Sequence, residues 1–177
     1  MKLFSNNKKS GKANSTAKCP SYTLRYKPKQ SDCEKVREIL DNTGFFSDEE
    51  VTVALELIEE KLSQKHSTYN FIFAEHGNKL MGYSCFGHIP LTKESYDLYW
   101  IAVNPEFQGY GIGKMLLENS EERIKKSGGV HLYVETASRK QYIPTRRFYL
   151  SCGYKKVAFF PDFYTPGDGK TVFYKKI

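Results

Sequence analysis

The sequence predicts a mixed α/β (α+β) fold: one central sheet of six to seven strands with helices on both faces. Three observations carry this. Short runs rich in aromatic and β-branched residues recur along the chain, punctuated by Gly, Pro and Asn. Between them lie stretches whose apolar residues recur every three to four positions, the period of a helix packed on one face. The order of these segments is β, αα, βββ, α, β, α, ββ, which neither an all-helical nor an all-β domain would show.

Residues 22–26 alternate in character and read as a first strand, stopped by Pro28. Ser31 with Glu34 has the form of a capping box, and Val36, Ile39 and Leu40 give the stripe of the helix behind it. Gly44 separates this helix from a second. That one opens with another capping box, Ser47 with Glu50, and carries Val51, Leu55, Ile58 and Leu62 on one face. Residues 69–75 and 80–88 read as a hairpin about the turn His76-Gly77-Asn78. Residues 97–103 form an apolar strand ending at Asn104-Pro105. A helix over 112–126 stops at Gly128-Gly129. Val130, Leu132 and Val134 mark one face of the next strand. Pro144 suits the first turn of a short helix running through Phe148 and Tyr149 to Gly153. Strands near 154–160 and 171–176 close the chain around the turn at 166–169.

A chain of 177 residues is long enough to bury a sizeable core as one domain. The net charge of +7 suggests a nucleic-acid partner until its distribution is considered. Five of the 27 basic residues (Lys2, Lys8, Lys9, Lys12 and Lys18) fall in residues 1–20, which carry no acid; the remainder holds 22 bases against 20 acids. Residues 1–20 therefore read as a disordered, solvated basic tail, and residues 21–177 as a single near-neutral domain with no nucleic-acid partner expected. No apolar run reaches membrane-spanning length and no secretory leader is evident, so a cytoplasmic protein is expected. Cys19, Cys33, Cys85 and Cys152 form no CxxC pair, and no metal site is expected.

The segment Gln108-Gly109-Tyr110-Gly111-Ile112-Gly113-Lys114 sits between a strand and a helix start. Glycine lets backbone approach a bulky anion and adopt positive φ. The free N–H groups of a helix start, aided by its dipole, attract such an anion, and Lys114 adds charge. A phosphate cradle and a plain tight turn both fit this spacing. The Walker and Rossmann patterns do not: Gln108 and Met115 stand where the Walker loop needs Gly and Ser/Thr, and Lys114 stands where the Rossmann loop needs Gly.

With the strand before it, Gln108-x-x-Gly111-x-Gly113 resembles the pyrophosphate signature of the GCN5-related N-acetyltransferases (GNAT family). Phe148-Tyr149-Leu150-Ser151-Cys152-Gly153-Tyr154 looks like that family's Phe-Tyr-x-x-x-Gly-aromatic element. The resemblance spans residues 22–177. It implies a sheet splayed between its fourth and fifth strands, with acetyl-CoA as acetyl donor and an amine as acceptor. The coenzyme would be held by Ile101, Ala102 and Val103, by Gln108 through Lys114, and by Tyr142 and Arg146. Tyr142 and Thr145 replace the Asn and Ala that the family often carries on this helix. A non-catalytic acyl-CoA-binding module on the same fold is the alternative.

The reaction needs a deprotonated amine, a polarised carbonyl and a proton for the leaving thiolate. The resemblance implies Tyr149 as the acid and backbone amides of 101–103 as the polarising group. Asp97 and Glu135 are both candidates for the base, alongside a water chain. Phe45, Phe46, Tyr99, Trp100 and the aromatic stretch 159–164 are candidates for the acceptor pocket or a homodimer contact. Arg139, Arg146 and Arg147 are candidates for binding a carboxylate or the coenzyme phosphates.

Overall fold

The computed structural model describes residues 19–64 and 66–177. The lysine-rich tail expected over residues 1–20 lies, through residue 18, outside the described residues. The elements run β1 (Thr23–Arg25), α1 (Asp32–Thr43), α2 (Asp48–Ser63), β2 (Tyr69–His76), β3 (Lys79–His88), β4 (Ser95–Val103), α3 (Ile112–Lys126), β5 (His131–Ala137), α4 (Ile143–Ser151), β6 (Lys155–Thr165) and β7 (Asp168–Lys176), with short 3-10 turns before α3 and α4. The seven strands form one sheet in the order β1-β2-β3-β4-β5-β7-β6. All neighbours are antiparallel except β4 and β5.

Strand alternation feeds two cores. Phe71, Phe73, Tyr83 and Cys85 face α1 and α2, where they meet Val36, Ile39, Leu40, Val51, Leu55 and Ile58. Ile72, Ala74 and Phe86 face the other way, joined by Met81 through an irregularity opposite Ala74 and Glu75, toward Ile112, Leu116, Leu117 and Ile124 of α3 and Tyr149 of α4. The sheet is thus the middle of three layers, and the 3.6-residue stripes of both helix sets close on it. Each buried Leu or Ile contributes about 1.5–3 kcal/mol by leaving water. Leu62, expected on the stripe of α2, is exposed at the helix end.

One expected cap forms and one does not. Ser47 accepts from the Glu50 N–H at 3.2 Å, and Glu50 accepts from the Ser47 N–H at 2.8 Å. Ser31 instead takes helical dihedrals and its side chain caps nothing. The neighbouring Asp32 caps no amide of the helix either: its carboxylate accepts from the Lys29 N–H at 2.7 Å and takes the Arg25 guanidinium in two bonds of 2.8 and 2.7 Å. Arg25 also reaches Glu75 at 2.9 Å and lies 4.4 Å over the Phe73 ring. This network ties β1, β2 and the start of α1 together. The capping-box pattern could not reveal this network, whose partners lie before the helix and on β2.

The last two strands are longer than the sequence suggests, running to Thr165 and from Asp168 across a Pro166-Gly167 turn. As the sheet edge, β6 leaves Val157, Phe159, Phe160, Phe163 and Tyr164 exposed.

Tyr83 is fully buried in the α1–α2 core, and its hydroxyl has no hydrogen-bond partner among the described residues. Burying an unpaired hydroxyl is costly. Tyr83→Phe is expected to raise unfolding stability by about 1 kcal/mol, read as a higher urea midpoint at unchanged m-value.

Candidate active site

The site begins where the two parallel strands part. β4 and β5 pair only from Ser95 with His131 to Leu98 with Val134. Beyond Leu98 the strands diverge. On its other side β4 stays paired with β3, with an irregularity that leaves Tyr99 unmatched between Cys85 opposite Trp100 and Phe86 opposite Leu98. An extra residue bends a strand and increases its twist, which turns the end of β4 away from β5.

The opened edge carries unpaired backbone. The Asn104 N–H donates to Met81 O on β3 at 2.9 Å. By alternation, Ala102 also faces β3, while Ile101 and Val103 turn their N–H and C=O groups into the gap. In agreement, the Gln108 side-chain amide reaches Val103 O from that side at 3.4 Å. Of the three residues expected to polarise a carbonyl, Ile101 and Val103 thus present backbone N–H groups to the gap and Ala102 does not.

The glycine segment lies at one end of this gap. Gly109 and Gly111 take φ of 84° and 80°, the left-handed region, and a Cβ at either would meet nothing within 4 Å. Gly111 is the N-cap of α3. The N–H groups of Gly109, Tyr110 and Gly111 find no backbone acceptor among the described residues, and those of Ile112, Gly113 and Lys114 have no intrahelical one. The result is a concave row of amides at a helix start, open to solvent, which suits a pyrophosphate. Ile112 itself is buried in the core and serves as an anchor, and Lys114 lies 3.7 Å from Glu118 on the outer face.

A cleft of about 1160 Å³ runs from Gln108, Gly109 and Gly113 along the open edge of β4 to Asp97 and Glu135. Phe45, Phe46, Tyr99, Trp100, Tyr142 and Tyr164 line it as well. Tyr149 lies on the same cleft from α4, only 3% exposed. Its hydroxyl makes no hydrogen bond among the described residues, and burial pushes it well above the usual phenol range, so it holds its proton at neutral pH. Asp97 stands where β4 and β5 begin to part. Burial, with the nearby Glu135 charge adding to it and Lys170 opposing it, raises its carboxyl to about 6. Glu135 is half-exposed and bridged to Lys170 at 3.1 Å.

Two residues expected to touch the coenzyme have hydrogen-bond partners within the protein. Arg146 is absent from the cleft wall; its guanidinium donates to Ala137 O at 2.8 Å and Arg139 O at 3.2 Å, capping the end of β5. Tyr142 lines the cleft, but its hydroxyl donates to Phe45 O at 3.1 Å, beside Gln141, which reaches the same oxygen at 3.2 Å. These bonds bridge the α1–α2 loop to the start of α4. Sequence reading missed this bridge, because the partners are 97 positions apart and share no pattern. It also missed Asp168, read only as part of a turn. Asp168 is buried, accepts from the Ser138 and Arg139 N–H groups, and binds Arg139 Nε at 2.8 Å. Glu49 and Glu50 line the cleft too, where the sequence offered only a helix cap.

A parallel strand pair opened over a glycine-nested helix start is the arrangement that the GNAT resemblance implies. The Acetyltransferase (GNAT) family matches residues 33–154, and the chain belongs to that family. A GNAT-family protein from Desulfovibrio desulfuricans is 38% identical, with 88% of this chain and 99% of that chain covered and a TM-score of 0.86. Two further structures share the fold. The ribosomal-protein-S18-alanine N-acetyltransferase of Escherichia coli is 17% identical, with 89% and 94% covered and a TM-score of 0.69. The PaiA N-acetyltransferase of Thermoplasma acidophilum, in complex with coenzyme A, is 23% identical, with 89% and 99% covered and a TM-score of 0.66. Among curated proteins none matches this chain.

Proposed function

We propose that this protein transfers the acetyl group of acetyl-CoA directly to a primary amine. The observation that carries the reading is the cleft itself. An amide nest, an open strand edge, an unpartnered buried tyrosine and an ionisable carboxylate share one wall in the order the reaction needs.

Gln108 through Lys114 would hold the pyrophosphate by backbone amides at the start of α3. The Ile101 and Val103 N–H groups would receive the thioester oxygen as it gains charge. Asp97, ionised above about pH 6, would take the proton of the incoming ammonium, directly or through a water. The amine nitrogen then attacks the carbonyl carbon and the C–N bond forms; as the C–S bond breaks, the nitrogen sheds its extra proton, which through water replaces the one that Tyr149 gives up. Tyr149 would donate its proton to the departing sulfur. Burial keeps the Tyr149 hydroxyl protonated, so the proton is present when the thiolate leaves. Glu135, the other candidate base, is bound to Lys170 and acts here on the field around Asp97.

The test is free-thiol release from acetyl-CoA across a panel of primary amines. Tyr149→Phe should lower turnover by about 10²–10⁴-fold while leaving the melting temperature close to wild type, since no hydrogen bond to that hydroxyl is lost. Coenzyme binding with no thiol release from any amine, unchanged in Tyr149→Phe, would replace this reading with a non-catalytic acyl-CoA-binding module.

A further inference from the structure

Glu121, on α3, is a buried carboxylate that the proposed reaction leaves idle. It accepts from the Tyr154 hydroxyl at 2.9 Å and takes Lys175 Nζ of β7 in two bonds of 2.9 and 2.8 Å. Tyr154 in turn bears on Tyr149. The two rings lie 5.7 Å apart between centroids, and the Tyr154 N–H donates to the Tyr149 carbonyl at 3.1 Å, at the end of α4. Phe173 meets the Tyr149 ring from β7, also at 5.7 Å, two residues before Lys175 and so on the same face of the sheet. The Tyr149 hydroxyl makes no hydrogen bond among the described residues, so the packing of these rings sets where it points. Packing alone does not call for the Tyr154 hydroxyl. A phenylalanine would fill the same space, and a buried ion pair is often no more stable than an apolar replacement. What hydroxyl, carboxylate and ammonium add together is a fixed position, because α3, β7 and the chain leaving α4 meet at one point. The start of α3 also carries the amide nest, so that point is held relative to the helix at which the donor would bind.

From this we infer that Tyr154 is a positioning residue for Tyr149, pinned by Glu121 and Lys175. The pin fixes the Tyr149 ring relative to α3, so that its hydroxyl meets the sulfur of a donor held at the start of the same helix. The inference rests on the reading of Tyr149 as the acid, and it adds to that reading three residues that lie outside the cleft wall.

Free-thiol release from acetyl-CoA by the full chain tests it, with the most active amine of the panel as acceptor. Tyr154→Phe keeps the ring and leaves Glu121 paired with Lys175, so the pin is lost while the packing stays. It should lower kcat by about 10- to 100-fold, the effect of a misplaced group at the reacting atoms, with KM for acetyl-CoA nearly unchanged. Glu121→Gln retains an acceptor for the hydroxyl and should keep more of kcat than Glu121→Leu. In a Tyr149→Phe background, Tyr154→Phe should lower kcat no further, yet it should lower the melting temperature equally in both backgrounds. A merely structural role gives the same fractional loss of kcat in both, and that result overturns the inference. So does full kcat in Tyr154→Phe, or a loss confined to KM. Tyr149→Phe as active as wild type, or no thiol release from any amine, removes the reading beneath and the inference with it; either result shows before Tyr154 is changed.

Discussion

Asp97→Asn should lower kcat/KM for acetyl transfer by about 10²–10⁴-fold and remove the acid limb of its pH profile. In the wild-type protein that limb should fall near pH 6, where half-burial and the Glu135 charge place the Asp97 carboxyl. Below it the proton acceptor is already occupied; above it, activity rises until the acceptor amine itself sets the limit. An asparagine preserves size and hydrogen bonding but accepts no proton, so the limb should vanish as well as the rate. The same substitution has a stability consequence of opposite sign. A carboxyl whose folded pKa lies above its unfolded value of about 3.9 binds its proton more tightly in the folded state. The stability it contributes is therefore lost as pH rises from about 4 to about 6, and Asp97→Asn should melt above wild type at pH 8. A variant that kept full turnover with the limb intact would take Asp97 out of the mechanism. Glu135→Gln should move the limb downward in pH, since it deletes a like charge that holds Asp97 up.

The second large effect is structural. Asp32 has a side chain with no solvent exposure, bonded twice to an Arg25 that is 16% exposed and once to the Lys29 N–H. Asp32→Ala leaves the guanidinium without its main partner and an amide without its acceptor. We expect a loss of about 3–5 kcal/mol, the range for breaking a buried pair from one side. For a domain of this size that corresponds to a fall in melting temperature of about 10 °C. Removing both charges is gentler, because an apolar pair carries no desolvation cost. Arg25→Met with Asp32→Leu should recover part of the loss, the Glu75 carboxylate being left with Lys29 at 4.0 Å. Urea denaturation of the single and double variants gives the coupling directly, and additive losses would mean that the network contributes little.

The fold was legible because its signals are periodic. Val36, Ile39 and Leu40, or Phe71 with Phe73, announce a face whatever else surrounds them, and the structure buries those faces. The helix start at Gly111 was legible for a different reason. Positive φ and close approach restrict the choice of residue, so chemistry leaves a local mark. What escaped was non-local. Asp168 reaches Ser138 and Arg139 across 29–30 positions, and Phe45 O is met from Gln141 and Tyr142. No pattern within a window of residues records such pairs. Ser31 was misread because a capping-box pattern does not fix the backbone, and Ser31 takes helical dihedrals where a cap needs non-helical ones. Arg146, expected at the coenzyme, donates to two carbonyls at the end of β5, which no local pattern announced.

The claim beneath all of this is that the amides of 108–114 cradle the pyrophosphate of acetyl-CoA. Gly113 offers the cleanest probe. Its Cβ position would meet Val103 and Phe148 at 3.6 and 3.7 Å, ordinary contact, and the residue lines the cleft, so a side chain there intrudes on the coenzyme. The deciding measurement is the melting temperature of wild type and Gly113→Val with and without acetyl-CoA. At about 100 times Kd the ligand should stabilise wild type by about 2.7 kcal/mol, a shift of several degrees, and Gly113→Val should show no such shift from its own ligand-free melting temperature. A wild-type protein whose melting temperature does not move with acetyl-CoA contradicts the account.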